Sequence, residues 1–177
     1  DSFFTSRTEQ AGLGQTSGWW NSLLAHDMDG DGDVDLIAGN LGLNARPKAT
    51  PEQPARLFVK DFDRNGTLDP IFTYYKGGVS YPMATRDQLI RQIQPLGLKL
   101  ISYADYGASR VEDLFSANLL EDATVHEAHT FATAYLENQG DGTFQVHALP
   151  LQAQFAPVYA ILAGDFDGAG HEDLLLA

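Results

Sequence analysis

The residues best placed to do chemistry lie in Asp27-Met28-Asp29-Gly30-Asp31-Gly32-Asp33-Val34-Asp35. Aspartates fill its first, third, fifth and ninth positions, and glycine fills the sixth. Five carboxylates within nine residues repel one another, so the segment needs a multivalent cation to stay folded. Oxygen-only donors select a hard ion, and calcium accepts about six to eight of them in flexible geometry. The sixth position calls for unusual backbone angles, which glycine adopts at least cost.

The pattern recurs twice. Asp61-Phe62-Asp63-Arg64-Asn65-Gly66-Thr67-Leu68-Asp69 keeps the same oxygen donors and the same glycine. Asp165-Phe166-Asp167-Gly168-Ala169-Gly170-His171-Glu172-Asp173 lacks the fifth donor, because Ala169 stands there. The expected side-chain ligands are Asp27, Asp29, Asp31 and Asp35, then Asp61, Asp63, Asn65 and Asp69, then Asp165, Asp167 and Asp173. The seventh residues, Asp33, Thr67 and His171, are expected to coordinate through their backbone carbonyls. Three copies with matching flanks argue against a chance run of solvated acidic turns.

The flanks decide the fold. An EF-hand loop needs an acidic residue at its twelfth position and a helix on each side. Here the twelfth positions are Ala38, Phe72 and Leu176. Leu23-Leu24-Ala25, Leu57-Phe58-Val59 and Ala160-Ile161-Leu162-Ala163 enter the loops. Leu36-Ile37-Ala38, Ile71-Phe72-Thr73-Tyr74-Tyr75 and Leu174-Leu175-Leu176 leave them. Short apolar runs bounded by turn residues predict buried strands, so each unit reads as strand, loop, strand.

Such strand–DxDxDGxxD–strand units resemble the FG-GAP, or VCBS, repeats of calcium-binding β-propellers, the type found in integrin α-subunits. Asn138-Gln139-Gly140-Asp141-Gly142-Thr143-Phe144 is similar to the outer hairpin of such a blade. It also reads as a hairpin on its own, since Tyr135-Leu136 and Phe144-Gln145-Val146 flank a glycine-rich connection. Gly18-Trp19-Trp20-Asn21 and Gly39-Asn40-Leu41-Gly42-Leu43-Asn44 resemble bacterial relatives associated with ASPIC/UnbV regions. The resemblance covers roughly residues 17–75 and 131–177. It implies an all-β fold of propeller blades, a partial propeller fragment, with bound Ca2+.

Composition narrows the partners. The formal net charge is −13. A chain this acidic is a poor partner for nucleic acid or an anionic membrane. Cysteine is absent, so no disulfide holds the fold. Extracellular calcium suits such loops, and the expected location is secreted, periplasmic or at the cell surface. No apolar run approaches a membrane span. The chain begins at Asp1 without methionine and ends within a strand pattern, so it reads as a piece of a longer protein whose signal segment lies upstream.

The first two loops begin 34 residues apart and the next pair 104 apart. The longer gap predicts a small α-helical insertion. Thr85-Arg86-Asp87-Gln88 is a capping box followed by Leu89, Ile90 and Ile93 at helical spacing. Ser109-Arg110-Val111-Glu112 reads as a second, followed by Leu114 and Phe115. The expected organisation is 1–83, blade strands with two calcium loops, then 84–122, the helical insertion, then 123–177, an outer hairpin and the start of the next blade with the degenerate loop.

Other residues carry weaker signals. His126 and His129 lack the spacing of a zinc helix and would face opposite sides of a strand. Trp19, Trp20, Tyr74, Tyr75, Tyr81, Tyr103 and Tyr106 are either a sugar-stacking platform or core aromatics. Asn40 and Asn44 suit either a ligand or a glycine-rich turn. The leading functional reading is a non-catalytic binding or scaffold module whose partner is a protein or a glycan, with strand-edge self-association as a further option. The alternative is a polysaccharide lyase or hydrolase that uses calcium structurally, with its chemistry supplied by tyrosine, histidine or lysine of the insertion.

Overall fold

A computed structural model describes residues 3–177. The chain divides into two compact units, one running up to Arg46 and resuming over Thr130–Ala177, the other spanning Pro47–His129.

In the first unit, β1 (Ser22–His26) and β2 (Asp35–Gly39) form an antiparallel hairpin around the first acidic loop. β2 then pairs with β7 (Ala134–Asn138), which pairs with β8 (Phe144–Ala148). The resulting sheet has the order β1-β2-β7-β8 and is antiparallel throughout. A separate hairpin, β9 (Ile161–Gly164) with β10 (Asp173–Leu176), holds the third loop. All three pairs of apolar runs thus become strands, but the burial expected of them holds only for β2 and for the second loop's strands; β1, β9 and β10 have no buried position. Ala38, Ala134 and Leu136 form a small core with Trp20, Leu36 and Phe144 against it.

The second unit has its own sheet, in the order β5-β4-β3-β6. β3 (Ala55–Lys60) and β4 (Asp69–Lys76) flank the second loop, while β5 (Val79–Pro82) and β6 (Thr124–Ala128) cover the two edges. Between β5 and β6 run four short helices, α1 (Arg86–Gln92), α2 (Tyr103–Gly107), α3 (Val111–Leu114) and α4 (Ala117–Glu121). Their apolar faces supply Leu89, Ile93, Val111 and Leu114, which pack with Phe58, Phe62 and Ile71 of the sheet and loop. The helices fall within the expected 84–122 stretch, but the compact unit that holds them is the larger segment 47–129. The second loop belongs to that unit and not to the sheet of the first loop. Among the described residues the sheets form no closed barrel and no ring of blades.

Helix starts follow local chemistry. Thr85 caps α1 in the predicted box, with Gln88 reciprocating. The second predicted box is displaced by one residue. Arg110 occupies the N-cap of α3 and Asp113 replies, while the Ser109 hydroxyl donates to the Asp105 carbonyl at 2.7 Å. An unpredicted box, Ser102 with Asp105, starts α2.

The side-chain and backbone hydrogen bonds from Arg110 hold the Asp113 carboxyl down to about 2. A depressed carboxyl stabilises the fold above its unfolded value of about 3.9 and loses that contribution as pH falls through about 2. An NMR titration should therefore show Asp113 raised in Arg110→Ala but still below its ordinary value, because the backbone N–H of residue 110 continues to donate to it. Fraying of α3 should then set in at higher pH than in the parent.

Candidate metal centres

Each acidic loop draws its first, third and ninth carboxylates together. One ligand atom each from Asp27, Asp29 and Asp35 lies within 4.8 Å of the others, and the same holds for Asp61, Asp63 and Asp69 and for Asp165, Asp167 and Asp173. These are the three such groups among the described residues, and none includes a histidine.

The backbone builds them by repetition. The first aspartate accepts the N–H of the sixth residue in every loop: Gly32 to Asp27 at 3.1 Å, Gly66 to Asp61 at 2.8 Å and Gly170 to Asp165 at 3.0 Å. The ninth accepts the N–H of the second: Met28 to Asp35 at 3.0 Å, Phe62 to Asp69 at 3.0 Å and Phe166 to Asp173 at 3.1 Å. The sixth glycines have φ of 95°, 89° and 83°, as their position requires. The fourth residues are left-handed too, and in the second loop that residue is Arg64, with φ of 61°. Gly30 and Gly168 fill the equivalent places, a demand the sixth-position argument misses.

The remaining expected ligands sit at the rim. Asp31 accepts the Asp33 N–H at 2.8 Å, and Asn65 accepts the Thr67 N–H at 2.8 Å. The Asp31 and Asp33 carboxylates lie outside the converging group. Ala169 contributes only its N–H, which Asp167 accepts at 2.9 Å. His171 is exposed in the third loop. Beside it, Glu172 pairs with His26 at 3.0 Å.

Burial is uneven. Asp35 and Asp69 are buried, whereas Asp173 is only partly covered. Desolvation is the largest influence on Asp69 and raises its carboxyl above the ordinary value, with Asp63 and Asp61 adding to it against hydrogen bonds from Phe62 and Gln92. At Asp29 the Asp31 N–H favours the charge, yet desolvation and the carboxylates of Asp31, Asp35 and Asp27 outweigh it and raise the carboxyl. Like charges are crowding one another, and a hard cation relieves that. The oxygen-only donor set fits such an ion.

Several of the weaker candidates make local structural contacts. Asn40 is fully buried; its Oδ1 accepts the Trp19 and Leu41 N–H groups at 3.1 and 2.8 Å, and its Nδ2 donates to the Thr130 carbonyl at 3.2 Å. Asn44 donates to the Phe155 carbonyl at 3.3 Å. Trp19 packs on Phe131, Trp20 donates to the Thr16 carbonyl, and Tyr103 donates to Asp87. His129 lies 3.5 Å from Glu127, and His126 is exposed on β6. No family model, curated protein or solved structure matches the chain.

Asp69→Ala removes the acceptor of the buried Phe62 N–H. In chelator it should lower stability by about 1–3 kcal/mol. Asp63→Ala, at the same site but without that anchor, should stay within about 0.5 kcal/mol. Urea unfolding in chelator distinguishes them, and equal losses would remove the division between anchoring and ion-facing carboxylates.

Proposed function

We propose that the chain is a calcium-stabilised module of the FG-GAP/VCBS type, a non-catalytic binding or scaffold part of a larger secreted or surface protein. One observation carries this reading. Three loops remote in sequence converge on one geometry, with first, third and ninth carboxylate atoms within 4.8 Å of each other. Carboxylates gathered on a structural frame of N–H donors have no comparable role in a solvated turn.

Asp27, Asp29 and Asp35 would hold the first ion, Asp61, Asp63 and Asp69 the second, and Asp165, Asp167 and Asp173 the third. Asp31 and Asn65, with the carbonyls of Asp33, Thr67 and His171, are the further oxygen donors at hand. When bound, calcium neutralises the loop and ties the two strands that the loop joins.

The sheet order supports the propeller reading. β1-β2-β7-β8 is a four-stranded antiparallel sheet whose acidic loop joins an edge strand to its neighbour, and β9 lies against β1. A blade followed by the innermost strands of another would have this arrangement. Exposed Leu162, Phe166 and Leu175 on the third loop's hairpin supply apolar surface for a protein or glycan partner. β10 pairs with β9 alone among the described residues, which supports strand-edge self-association as a further mode.

Calcium at a hundredfold excess over its dissociation constant should stabilise by about 2.7 kcal/mol per site through mass action. Melting should therefore fall on chelation and recover with calcium but not with magnesium, which demands a tighter octahedral geometry. Identical melting curves in calcium and in chelator would overturn the reading.

Site rank follows donor number. The third loop lacks a fifth-position oxygen at Ala169, so calorimetry should find it weakest. Ala169→Asp should tighten that site alone. A change that leaves every affinity unaltered would mean the side-chain count does not set the order.

A further inference from the structure

The three ninth-position aspartates differ in what else they accept. Asp35 takes three donors. Its Oδ2 accepts the Met28 N–H at 3.0 Å and the Tyr135 hydroxyl at 2.9 Å, and its Oδ1 accepts the Asn138 N–H at 2.8 Å. A carboxylate offers about four lone-pair directions. Three are filled, and the vacancy is on Oδ1. Two of the three donors come from β7, about a hundred residues further along the chain.

The same strand end braces the loop in two more places. The Asn138 side-chain amide donates to the Val34 carbonyl at 3.0 Å. Gly140, whose φ of 73° favours glycine, brings the hairpin tip close to the Asp33 carboxylate. Neither remaining loop has this arrangement. Asp69 has the Gln92 side chain as its additional partner. Asp173 has no tyrosine counterpart among the described residues.

We infer that Tyr135 is a positioning residue for the first metal site. Its hydroxyl saturates Asp35 Oδ2, fixes the carboxylate plane and leaves Oδ1 as the one oxygen free to meet the ion. This rests on the calcium reading of the loops and adds to it a dependence on β7. The ring is itself held. It stacks on His147 of the neighbouring strand with centroids 6.0 Å apart, and His147 Nε2 lies 2.9 Å from Glu137. Outer partners of this kind orient first ligands, and losing one typically weakens metal affinity by about 10–100-fold. Calcium at the first loop and correct seating of β7 against β2 therefore favour each other.

The test is a calcium titration followed by NMR on the intact chain, using the amide signals of Gly32, Gly66 and Gly170 as one reporter per loop. Tyr135→Phe keeps the ring and deletes only the hydroxyl. The expected result is a Gly32 midpoint raised by about tenfold or more, with the Gly66 midpoint unmoved and a loss of melting temperature that is larger in calcium than in chelator. Tyr159→Phe, at an exposed tyrosine, should move none of them. In the wild type, the Tyr135 ring signals should shift with the Gly32 transition and those of Tyr159 should not, a readout that needs no variant. An unaltered Gly32 midpoint in Tyr135→Phe overturns the inference while leaving calcium binding intact. So does a Tyr135 ring blind to loading, or a loss of melting temperature in chelator equal to that in calcium, which marks a merely structural hydroxyl. A wild-type Gly32 signal that ignores calcium overturns the calcium reading of this loop and the inference with it.

Discussion

The structure depends on holding carboxylates closer together than their charges favour. Like charges gathered this closely disfavour one another's ionised form. Each loop gathers three such groups. The N–H frame of each loop favours the charged carboxylates against that repulsion. Burial at Asp69 and Asp35 removes solvent as a further source of stabilisation, which makes their hydrogen bonds matter more.

The ninth position is where a loop joins the body of its unit, and the three loops are tied with decreasing strength. Asp35 is clasped from β7 by a hydroxyl and an N–H. Asp69 is reached by Gln92 of α1, and the neighbouring loop residue Phe62 is buried and stacked on Phe115 with centroids 4.3 Å apart. The second loop is therefore anchored in the helical core. In the third, the matching Phe166 is 59% exposed and Asp173 is only partly covered. Ala169 weakens the same loop from inside. A missing fifth-position side-chain oxygen and weaker burial thus coincide in one copy.

Much of this was legible because it is local. Loop and flanking strands lie within a few residues of each other, and alternation of turn and apolar residues suffices to place β1, β2, β3, β4, β9 and β10. The α1 box at Thr85 and Gln88 was legible for the same reason. What escaped is long-range. The spacing of the first two loops suggests tandem copies, yet β3 has β6 on its far side whereas β1 is an edge. Only the pairing of segments far apart in the chain reveals that. Asn40, which suits a ligand or a turn, and Gln154, which carries no sequence signal, are both buried hubs; Gln154 exchanges hydrogen bonds with both backbone groups of Thr133. The α3 cap slipped because an Arg110–Asp113 ion pair does the work expected of a serine. Tyr135 carried no signal at all, since a tyrosine in a strand reads as packing until its hydroxyl is seen on Asp35.

The sheet of the first unit is completed only after residues 47–129 have been traversed, because β2 and β7 lie on either side of them. Closing a loop of that length is less demanding than it looks, since each doubling adds only about 0.6 kcal/mol. An inserted unit with its own core shortens the effective loop further. What must then be specified is register, because a slip of one residue reverses the faces of β7. β2 is pinned at both ends for that purpose. At its start Asp35 accepts from Tyr135 and Asn138. Just past its end the Asn40 N–H donates to the Thr133 hydroxyl at 3.2 Å, and the Asn40 amide reaches the Thr130 carbonyl. One clasp is wholly neutral and the other is built on a carboxylate. The β2–β7 register is therefore held by neutral groups at the Asn40 end and by donors onto a carboxylate at the Asp35 end, the carboxylate that on the calcium reading also meets the ion.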